Sequence, residues 1–240
     1  GGQGGVSPVG GEPTWFGLGD RDIATHLVRT TMINAGYPLS AVTEALCTRW
    51  QPGVRILPAT DDRMETHAVV ELDGGRRAIH FQEWWVRYRG ELPTERFVFV
   101  GADTAKPAPG VVEAIEAADV VLIAPSNPVV SIAPILAVPG LREAVTGAKA
   151  RVIGVSPVIG GAPVRGMADK CLAVIDVPCD AASVGRLYGA RRDGGLLDGW
   201  LVDRVDSGAE IPGVTVRAVP LWMTDEAATT EMVRQAMELA

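Results

Sequence analysis

The sequence predicts an α/β protein with a doubly wound, mostly parallel, Rossmann-like sheet and a small inserted α+β subdomain. Two short apolar strands, at residues 120–124 and 151–155, are the first observation behind this prediction. The earlier strand is apolar throughout and does not alternate, which is typical of a strand buried on both faces of a parallel sheet. The second observation is the alternation of strand and helix signals from Val98 onward, which indicates parallel strands joined by right-handed crossovers.

The amino-terminal segment carries no hydrophobic periodicity. Residues 1–14 are dominated by Gly and Pro, so we expect a flexible arm before one large domain formed by residues 15–240. The GGQGG stretch resembles a phosphate-binding glycine loop only in its residue types, because such a loop needs a strand before it and a helix after it.

The first predicted helix follows this arm and ends near Gly36. Its start is crowded with polar residues, namely Asp20, Arg21, Asp22 and His26. Either this cluster caps the helix and forms a weak local ion pair, or it contributes to a site. A second helix is predicted to begin near Ser40.

Residues 50–90 interrupt the alternation and are predicted to form the inserted subdomain. A short strand is expected at 54–57, and a hairpin about Asp73-Gly74-Gly75 joins strands at 67–72 and 77–81. Between them, the adjacent Asp61 and Asp62 are oxygen ligands of the kind that bind Mg²⁺ beside substrate phosphates, although a simple turn is the commoner origin of such a pair.

Aromatic residues follow the hairpin in the stretch HFQEWWVRYRG. Gln82, Trp84 and Trp85 lie here beside basic residues. Paired tryptophans next to cations either pack a flat heteroaromatic ligand or cover the edge of a sheet. Their spacing leaves both interpretations open.

Polar and glycine-rich loops follow both apolar strands. Ser126, Asn127 and Ser131 come after the first strand, and Gly160 and Gly161 come after the second. The carboxyl edge of a parallel sheet is where ligands bind, and free N–H groups at a helix start favour a phosphate. Helix capping is the alternative role for Ser126 and Asn127, but the recurrence of the pattern favours a shared crevice.

The remaining elements continue the alternation. Helices are predicted at 110–118, up to residue 147, at 181–190 and at 224–240. Strands are predicted at 200–202 and 214–219.

Composition excludes several function classes. The formal net charge of −7 argues against a nucleic-acid-binding surface. Neither a long apolar run nor a basic leader is present, so we expect a cytoplasmic protein. The three cysteines form no CxxC pair and the three histidines lie in separate segments, so neither a disulfide framework nor a zinc site is predicted.

Several long motifs then carry a resemblance to a known family. In order along the chain they are LGDRDIATHLVR, ILPATDDRMETH, HFQEWWVRYRG, APSNPVVSIAPILAVPG and VSPVIGGAPVRGMADK. From Trp15 to its end the chain resembles the 2-phospho-L-lactate transferases, the CofD-type family. HFQEWW and RWQPG are most similar to its actinobacterial branch, whose members use a phosphoenolpyruvate-carrying donor.

The resemblance implies a transferase in coenzyme F-420 biosynthesis. Such an enzyme moves a phospho-three-carbon-acid group, from phosphoenolpyruvate or 2-phospho-L-lactate, out of a guanylylated diphosphate donor onto the deazaflavin precursor Fo and releases GMP. It also implies Mg²⁺, GDP binding and a homodimer. Carried over residue by residue, the expected donor-phosphate residues are Ser126, Asn127, Ser131, Gly160 and Gly161. Asp20 and Arg21 are expected to be catalytic residues near Fo, with His26 binding the substrate there. Asp61 and Asp62 are expected to be catalytic at the reacting phosphates and to bind the metal, and Gln82 and Trp84 are expected at the substrate.

The sequence also departs from the family pattern. Family members begin with a strand, a glycine loop and a helix, followed by an acidic segment that helps to bind metal and Fo, and these features are not found here. Either the sequence is a fragment or it is a variant that has lost part of its site and is inactive. The competing function is a non-enzymatic, nucleotide-sugar-binding regulator of the same superfamily, but the combination of LGDRDxATH with HFQEWW favours the transferase.

Overall fold

The computed structural model describes residues 17–240, so the predicted flexible arm and the GGQGG stretch lie outside the described residues. The strands are β1 (Glu65–Leu72), β2 (Gly75–His80), β3 (Thr94–Val100), β4 (Val120–Ile123), β5 (Arg151–Val155), β6 (Val158–Ile159), β7 (Ala162–Pro163), β8 (Gly199–Val202) and β9 (Thr215–Ala218). The helices are α1 (Asp20–Asn34), α2 (Leu39–Trp50), α3 (Val111–Glu116), α4 (Ala133–Leu136), α5 (Leu141–Gly147), α6 (Ala168–Val174), α7 (Ala181–Tyr188) and α8 (Glu226–Leu239). π-Helical turns span Glu83–Arg87 and Pro128–Ile132, and 3₁₀ turns span Arg191–Asp193 and Arg204–Asp206.

The predicted α/β class is confirmed by a four-stranded parallel sheet. Its strand order is β4-β5-β8-β9, and each neighbouring pair is parallel. Alternate residues of a strand point to opposite sides of the sheet, so both faces carry apolar side chains, and helices cover both faces. Val152 and Trp200 pack into the core on the α7 side, whereas Ile153 and Leu201 pack with α8.

The predicted burial of the 120–124 strand on both faces is wrong. Within the described sheet β4 lies at the edge, and Leu122 is 40% exposed. β5 lies between two neighbours instead, so its Val152 and Ile153 are fully buried. An apolar run indicates a strand, but its place in the sheet depends on which neighbours pair with it.

A separate antiparallel sheet has the order β2-β1-β3. The hairpin between β1 and β2 confirms the turn predicted at Asp73-Gly74-Gly75. Val98, however, belongs to β3 and pairs with His67 in this sheet, so the parallel alternation does not begin there as predicted. The strand predicted at 54–57 is also absent from the structure, where these residues form a largely exposed connection.

α1 and α2 form a helical hairpin ahead of the two sheets. α1 contacts α2. Within residues 17–240, none of the side chains of α1 is buried. Across the described part of the chain, no single helix is both long and apolar enough to cross a membrane.

Candidate functional site

Loops that follow three neighbouring strands meet at the carboxyl edge of the parallel sheet. Ser126 and Asn127 follow β4, Ser156 follows β5 and Asp203 follows β8. The strands are in register, with Ile123 opposite Gly154 and Val155 opposite Leu201, so their ends lie side by side. This is the position at which open α/β sheets bind ligands.

Asn127 organises the first of these loops. Its side-chain Oδ1 accepts hydrogen bonds from the N–H groups of Val129 at 2.9 Å and Val130 at 3.3 Å. Its main-chain oxygen accepts from the N–H groups of Ser131 and Ile132, each at 3.1 Å. The free N–H groups predicted to hold a phosphate at this helix start are therefore already occupied, and Asn127 is a cap.

Polar groups suited to an anion nevertheless remain in this loop. Ser131 is exposed and Ser126 is half-buried. The loop enters a π-helical turn at Pro128, a distortion that often accompanies functional sites. The structure thus places Ser126, Asn127 and Ser131 at the carboxyl edge. Their binding of the donor stays a prediction.

Cys171 of α6 lies beneath this loop and was not predicted from the sequence. Burial raises the pKa of its thiol to about 11, while a hydrogen bond with Asn127 acts in the opposite direction. α6 packs against the π-helical turn that follows Asn127. A single buried cysteine in an apolar stretch offers no sequence signal for such a contact.

The glycine pair lies in the second loop. Gly160 and Gly161 form the turn between β6 and β7, with φ of 58° and 80°, which glycine adopts without strain. Both are exposed, so a ligand can approach their main chain closely. Ser156 is buried, and its hydroxyl donates to the Val158 oxygen at 2.8 Å, which fixes the start of this loop.

Two further acids, Asp203 and Asp206, contribute to the same edge. The carboxylate of Asp203 is buried and accepts from the N–H groups of Val205 at 3.2 Å and Leu221 at 3.0 Å. Asp206 accepts from the N–H of Gly160 at 2.9 Å. The sequence contained a signal for Asp203, since an acid directly after a buried strand lies at the carboxyl edge.

The polar residues predicted near Fo lie at the exposed start of α1. Asp20 accepts a hydrogen bond from the N–H of Arg21 at 2.8 Å, and Asp22 accepts from the N–H of Gly19 at 3.3 Å. These contacts are those of a helix start. Within residues 17–240, Asp20, Arg21 and His26 form no hydrogen bond with the loops at the carboxyl edge.

Asp61 and Asp62 each bind a different element. Asp61 accepts from the N–H of Ser40 at 2.6 Å and from its hydroxyl at 2.8 Å, at the start of α2. Asp62 accepts from the N–H of Lys106 at 2.8 Å. No group of three or more His, Cys, Asp or Glu side chains in the described chain is arranged to hold a metal ion. Their roles in catalysis and in binding a metal stay predictions.

The two adjacent tryptophans have different surroundings. Trp84 is 1% exposed, its Nε1 donates to Thr94 at 2.8 Å, and its ring packs against Phe81 and Phe97. In this structure the ring of Trp84 belongs to the core, and its contact with substrate stays a prediction.

Trp85 and Gln82 remain at the surface. Trp85 is half-buried beside the glycine-rich loop, where a methyl group at Gly166 would lie 3.2 Å from its ring. Gln82 is exposed, and its N–H donates to the His80 ring at 3.1 Å. The aromatic surface next to the loop after β5 is thus provided by Trp85.

Comparison with models of protein families shows which family this chain belongs to. The family model described as 2-phospho-L-lactate transferase CofD matches residues 11–233. The chain belongs to the CofD family. This confirms the resemblance carried by the sequence motifs, and it makes the protein a transferase.

Actinobacterial proteins are among the relatives of this chain. Proteins named phosphoenolpyruvate transferase in Nocardia farcinica and Streptomyces griseus are 65% and 63% identical to this chain, over 95% and 98% of its length. The matched regions span 70% and 74% of those two proteins. A Mycolicibacterium smegmatis protein of the same name is 63% identical over 98% of the chain and 72% of its own length.

Solved structures agree with the CofD-family fold. A crystal structure of a Bacillus halodurans protein superposes with a TM-score of 0.57 at 20% identity, and covers 88% of this chain and 70% of that protein. This likeness concerns the fold alone. The α/β architecture predicted from the sequence is therefore shared with a solved structure.

Proposed function

We propose that this chain transfers a phospho-three-carbon-acid group from a guanylylated diphosphate donor to the deazaflavin precursor Fo and releases GMP. The three-carbon acid is phosphoenolpyruvate or 2-phospho-L-lactate, and the reaction belongs to coenzyme F-420 biosynthesis. Support comes from membership of the CofD family and from relatives named phosphoenolpyruvate transferase at 63–65% identity. We further propose a cytoplasmic homodimer.

The convergence of the loops after β4, β5 and β8 at one sheet edge is the observation that carries this proposal. The exposed turn at Gly160 and Gly161 offers main-chain groups to a diphosphate, and Asp206 holds this turn in place. Ser131 offers an exposed hydroxyl on the neighbouring loop. These groups bind and orient the donor so that its reacting phosphorus faces the acceptor, which is where most of the rate enhancement in phosphoryl-type transfer arises.

The chemical step is a displacement at phosphorus. The terminal ribityl hydroxyl of Fo attacks the phosphorus that carries the three-carbon acid, a new P–O bond forms, and the bond to the GMP oxygen breaks. The hydroxyl proton passes to solvent or to a carboxylate, and GMP leaves with the bonding electrons. Charge builds up on the phosphate oxygens, so donor groups fixed around them stabilise the transition state.

Mg²⁺ is part of the proposal, and its chemistry is to neutralise the diphosphate charge. Oxygen ligands suit this ion, and it usually binds one or two carboxylates together with substrate phosphates. The carboxylates of Asp61 and Asp62 accept hydrogen bonds from different elements, from the N–H of Ser40 and from the N–H of Lys106 respectively. Asp62 is exposed and therefore the better candidate to hold the ion.

A transfer assay tests the proposal. The chain is incubated with Fo, Mg²⁺ and either the phosphoenolpyruvate or the 2-phospho-L-lactate form of the guanylylated donor, and the products are separated and weighed by mass spectrometry. We expect GMP and one phosphodiester of Fo in equal amounts. Nucleotide binding without any Fo product from either donor would contradict the transferase and favour the nucleotide-sugar-binding regulator.

A further inference from the structure

An exposed arginine, Arg165, lies in the loop that joins β7 to α6 at the carboxyl edge of the parallel sheet. This loop starts beside the end of β5, because the N–H of Val164 donates a hydrogen bond to the oxygen of Pro157 at 3.1 Å. It leads into α6, which packs against the π-helical turn after Asn127. Arg165 therefore lies on the segment that connects the loop after β5 to the loop after β4, the two loops of the candidate donor site.

The main chain on both sides of Arg165 is held in place. Val164 packs against the hydrophobic core on the α8 side of the sheet, and Met167 packs against the core on the α7 side. Between them, Gly166 has a φ of 74°, and a methyl group on it would lie 3.2 Å from the ring of Trp85. An arginine with a fixed main chain loses less conformational freedom on binding a ligand than one in a free loop.

The guanidinium of Arg165 has no partner within residues 17–240. It forms neither a hydrogen bond nor an ion pair there, although Asp169 follows only four positions later. The carboxylates of Asp203 and Asp206 at the same edge accept hydrogen bonds from main-chain N–H groups. A guanidinium offers its N–H groups in a planar fork that matches the oxygens of a carboxylate or a phosphate. The charge of Arg165 is therefore available to an anionic ligand.

We propose that the guanidinium of Arg165 binds an oxyanion of the guanylylated donor and so holds the donor between the loops after β4 and β5. This inference rests on the proposed transferase function and adds a residue to its donor site. The oxyanion is a diphosphate oxygen or the carboxylate of the three-carbon acid, since a guanidinium binds both. The chain carries a formal net charge of −7, so a cation at this edge also offsets the repulsion between the donor and the rest of the protein.

Calorimetric titrations of the 240-residue chain and of two variants, Arg165→Met and Arg165→Lys, test the proposal. Two ligands are used with Mg²⁺, namely GDP and the 2-phospho-L-lactate form of the guanylylated donor. We expect Arg165→Met to raise the Kd for the full donor at least about tenfold, through loss of a charge-assisted hydrogen bond. Arg165→Lys keeps the charge but not the planar fork, so its Kd should lie between those of the wild type and Arg165→Met.

The two ligands distinguish the two sources of the oxyanion. A higher Kd of Arg165→Met for both ligands assigns Arg165 to the diphosphate, whereas a higher Kd for the full donor alone assigns it to the carboxylate. Added NaCl should weaken donor binding less in Arg165→Met than in the wild type, because salt screens the charge that this variant lacks. A purely structural role of Arg165 would leave that salt dependence unchanged.

Arg151→Met is the matched control. Arg151 is exposed at the start of β5, so this substitution makes the same change in net charge at the opposite end of the strand that leads to the donor site. Its Kd for both ligands should match that of the wild type. Thermal melts establish that each variant is folded.

Failure of this inference is distinguishable from failure of the transferase function. A wild type that binds neither ligand would contradict the transferase function, and the role of Arg165 with it. If the wild type binds the full donor and folded Arg165→Met binds it equally tightly, the role of Arg165 is wrong and the transferase function stands.

Discussion

The main-chain N–H of Gly160 donates a hydrogen bond to the carboxylate of Asp206 across 2.9 Å. This bond joins the loop after β5 to the loop after β8, although the two residues are 46 positions apart in the chain. It holds an exposed glycine turn in one conformation before any ligand arrives. Such preorganisation increases affinity because less conformational freedom is lost on binding.

Replacing Asp206 should therefore weaken donor binding without unfolding the protein. For Asp206→Ala we expect a two- to tenfold higher Kd for GDP with Mg²⁺ in calorimetric titrations, corresponding to the loss of about one hydrogen bond. Asp206→Asn keeps an acceptor for the Gly160 N–H and serves as the control, with a Kd close to that of the wild type. Equal affinities of the alanine variant and the wild type would show that the turn needs no such support.

We expect Asp61 to contribute to stability and Asp62 to contribute to Mg²⁺ binding. Asp61→Ala removes the two hydrogen bonds at the start of α2 and should lower the free energy of unfolding by about 1 kcal/mol, measured by urea denaturation. Asp62→Ala should change the stability less but raise the Mg²⁺ concentration needed for half-maximal transfer. The magnesium assignment fails if neither substitution changes that concentration.

Gly154 of β5 should not tolerate a methyl group. A Cβ at this position would lie 2.6 Å from the ring of Trp200 and 2.9 Å from Leu197, both fully buried. Gly154→Ala should destabilise the protein by about 1–3 kcal/mol through overpacking. Gly147→Ala is the control, since a Cβ there meets no atom within 4 Å, and it should not lower the free energy of unfolding.

Cys171 should make stability fall at alkaline pH. Burial raises the pKa of its thiol from 9.0 to about 11 in the folded state, so the unfolded chain loses this proton first. Its contribution to stability is fully present below pH 9 and is lost as the pH rises towards about 11.

The difference in unfolding free energy between the wild type and Cys171→Ala tests this dependence. It should shrink between about pH 9 and pH 10.5, whereas the cost of the core substitution Val152→Ala stays constant over the same window. A constant cost for both variants would contradict the raised pKa.

The sequence predicted local structure correctly where a few neighbouring residues determine it. Asp73 and Gly74 predicted the hairpin because few residues adopt the positive φ that this turn needs. The polar loops after β4 and β5 were predicted at one edge because parallel strands bring their carboxyl ends together. The edge position of β4 was not predictable, since strand order depends on contacts between distant segments.

Side-chain orientation accounts for the other differences. Trp84 and Trp85 are adjacent, and only the geometry of the π-helical turn decides which ring enters the core. The side-chain Oδ1 of Asn127 caps the turn that follows it, a contact that the sequence offered as the alternative to donor binding. Hydrogen bonds such as that between Asp203 and Leu221 join residues far apart in the chain, so no local pattern reveals them.

The most direct test of the carboxyl-edge site is a calorimetric titration of GDP with Mg²⁺ into the wild type and Asn127→Asp. Aspartate keeps the oxygen that caps Val129 and Val130, so the melting temperature should change little, but it adds a negative charge beside the proposed position of the donor phosphates. Asn34→Asp, at the end of α1, adds the same charge elsewhere as a control. Asn127→Ala, which lacks the cap, should lose about 1 kcal/mol of stability.

We predict that the wild type and Asn34→Asp bind GDP with similar affinity, and that Asn127→Asp binds at least about tenfold more weakly. Unchanged affinity in a folded Asn127→Asp protein would contradict the placement of the donor phosphates at the carboxyl ends of β4 and β5.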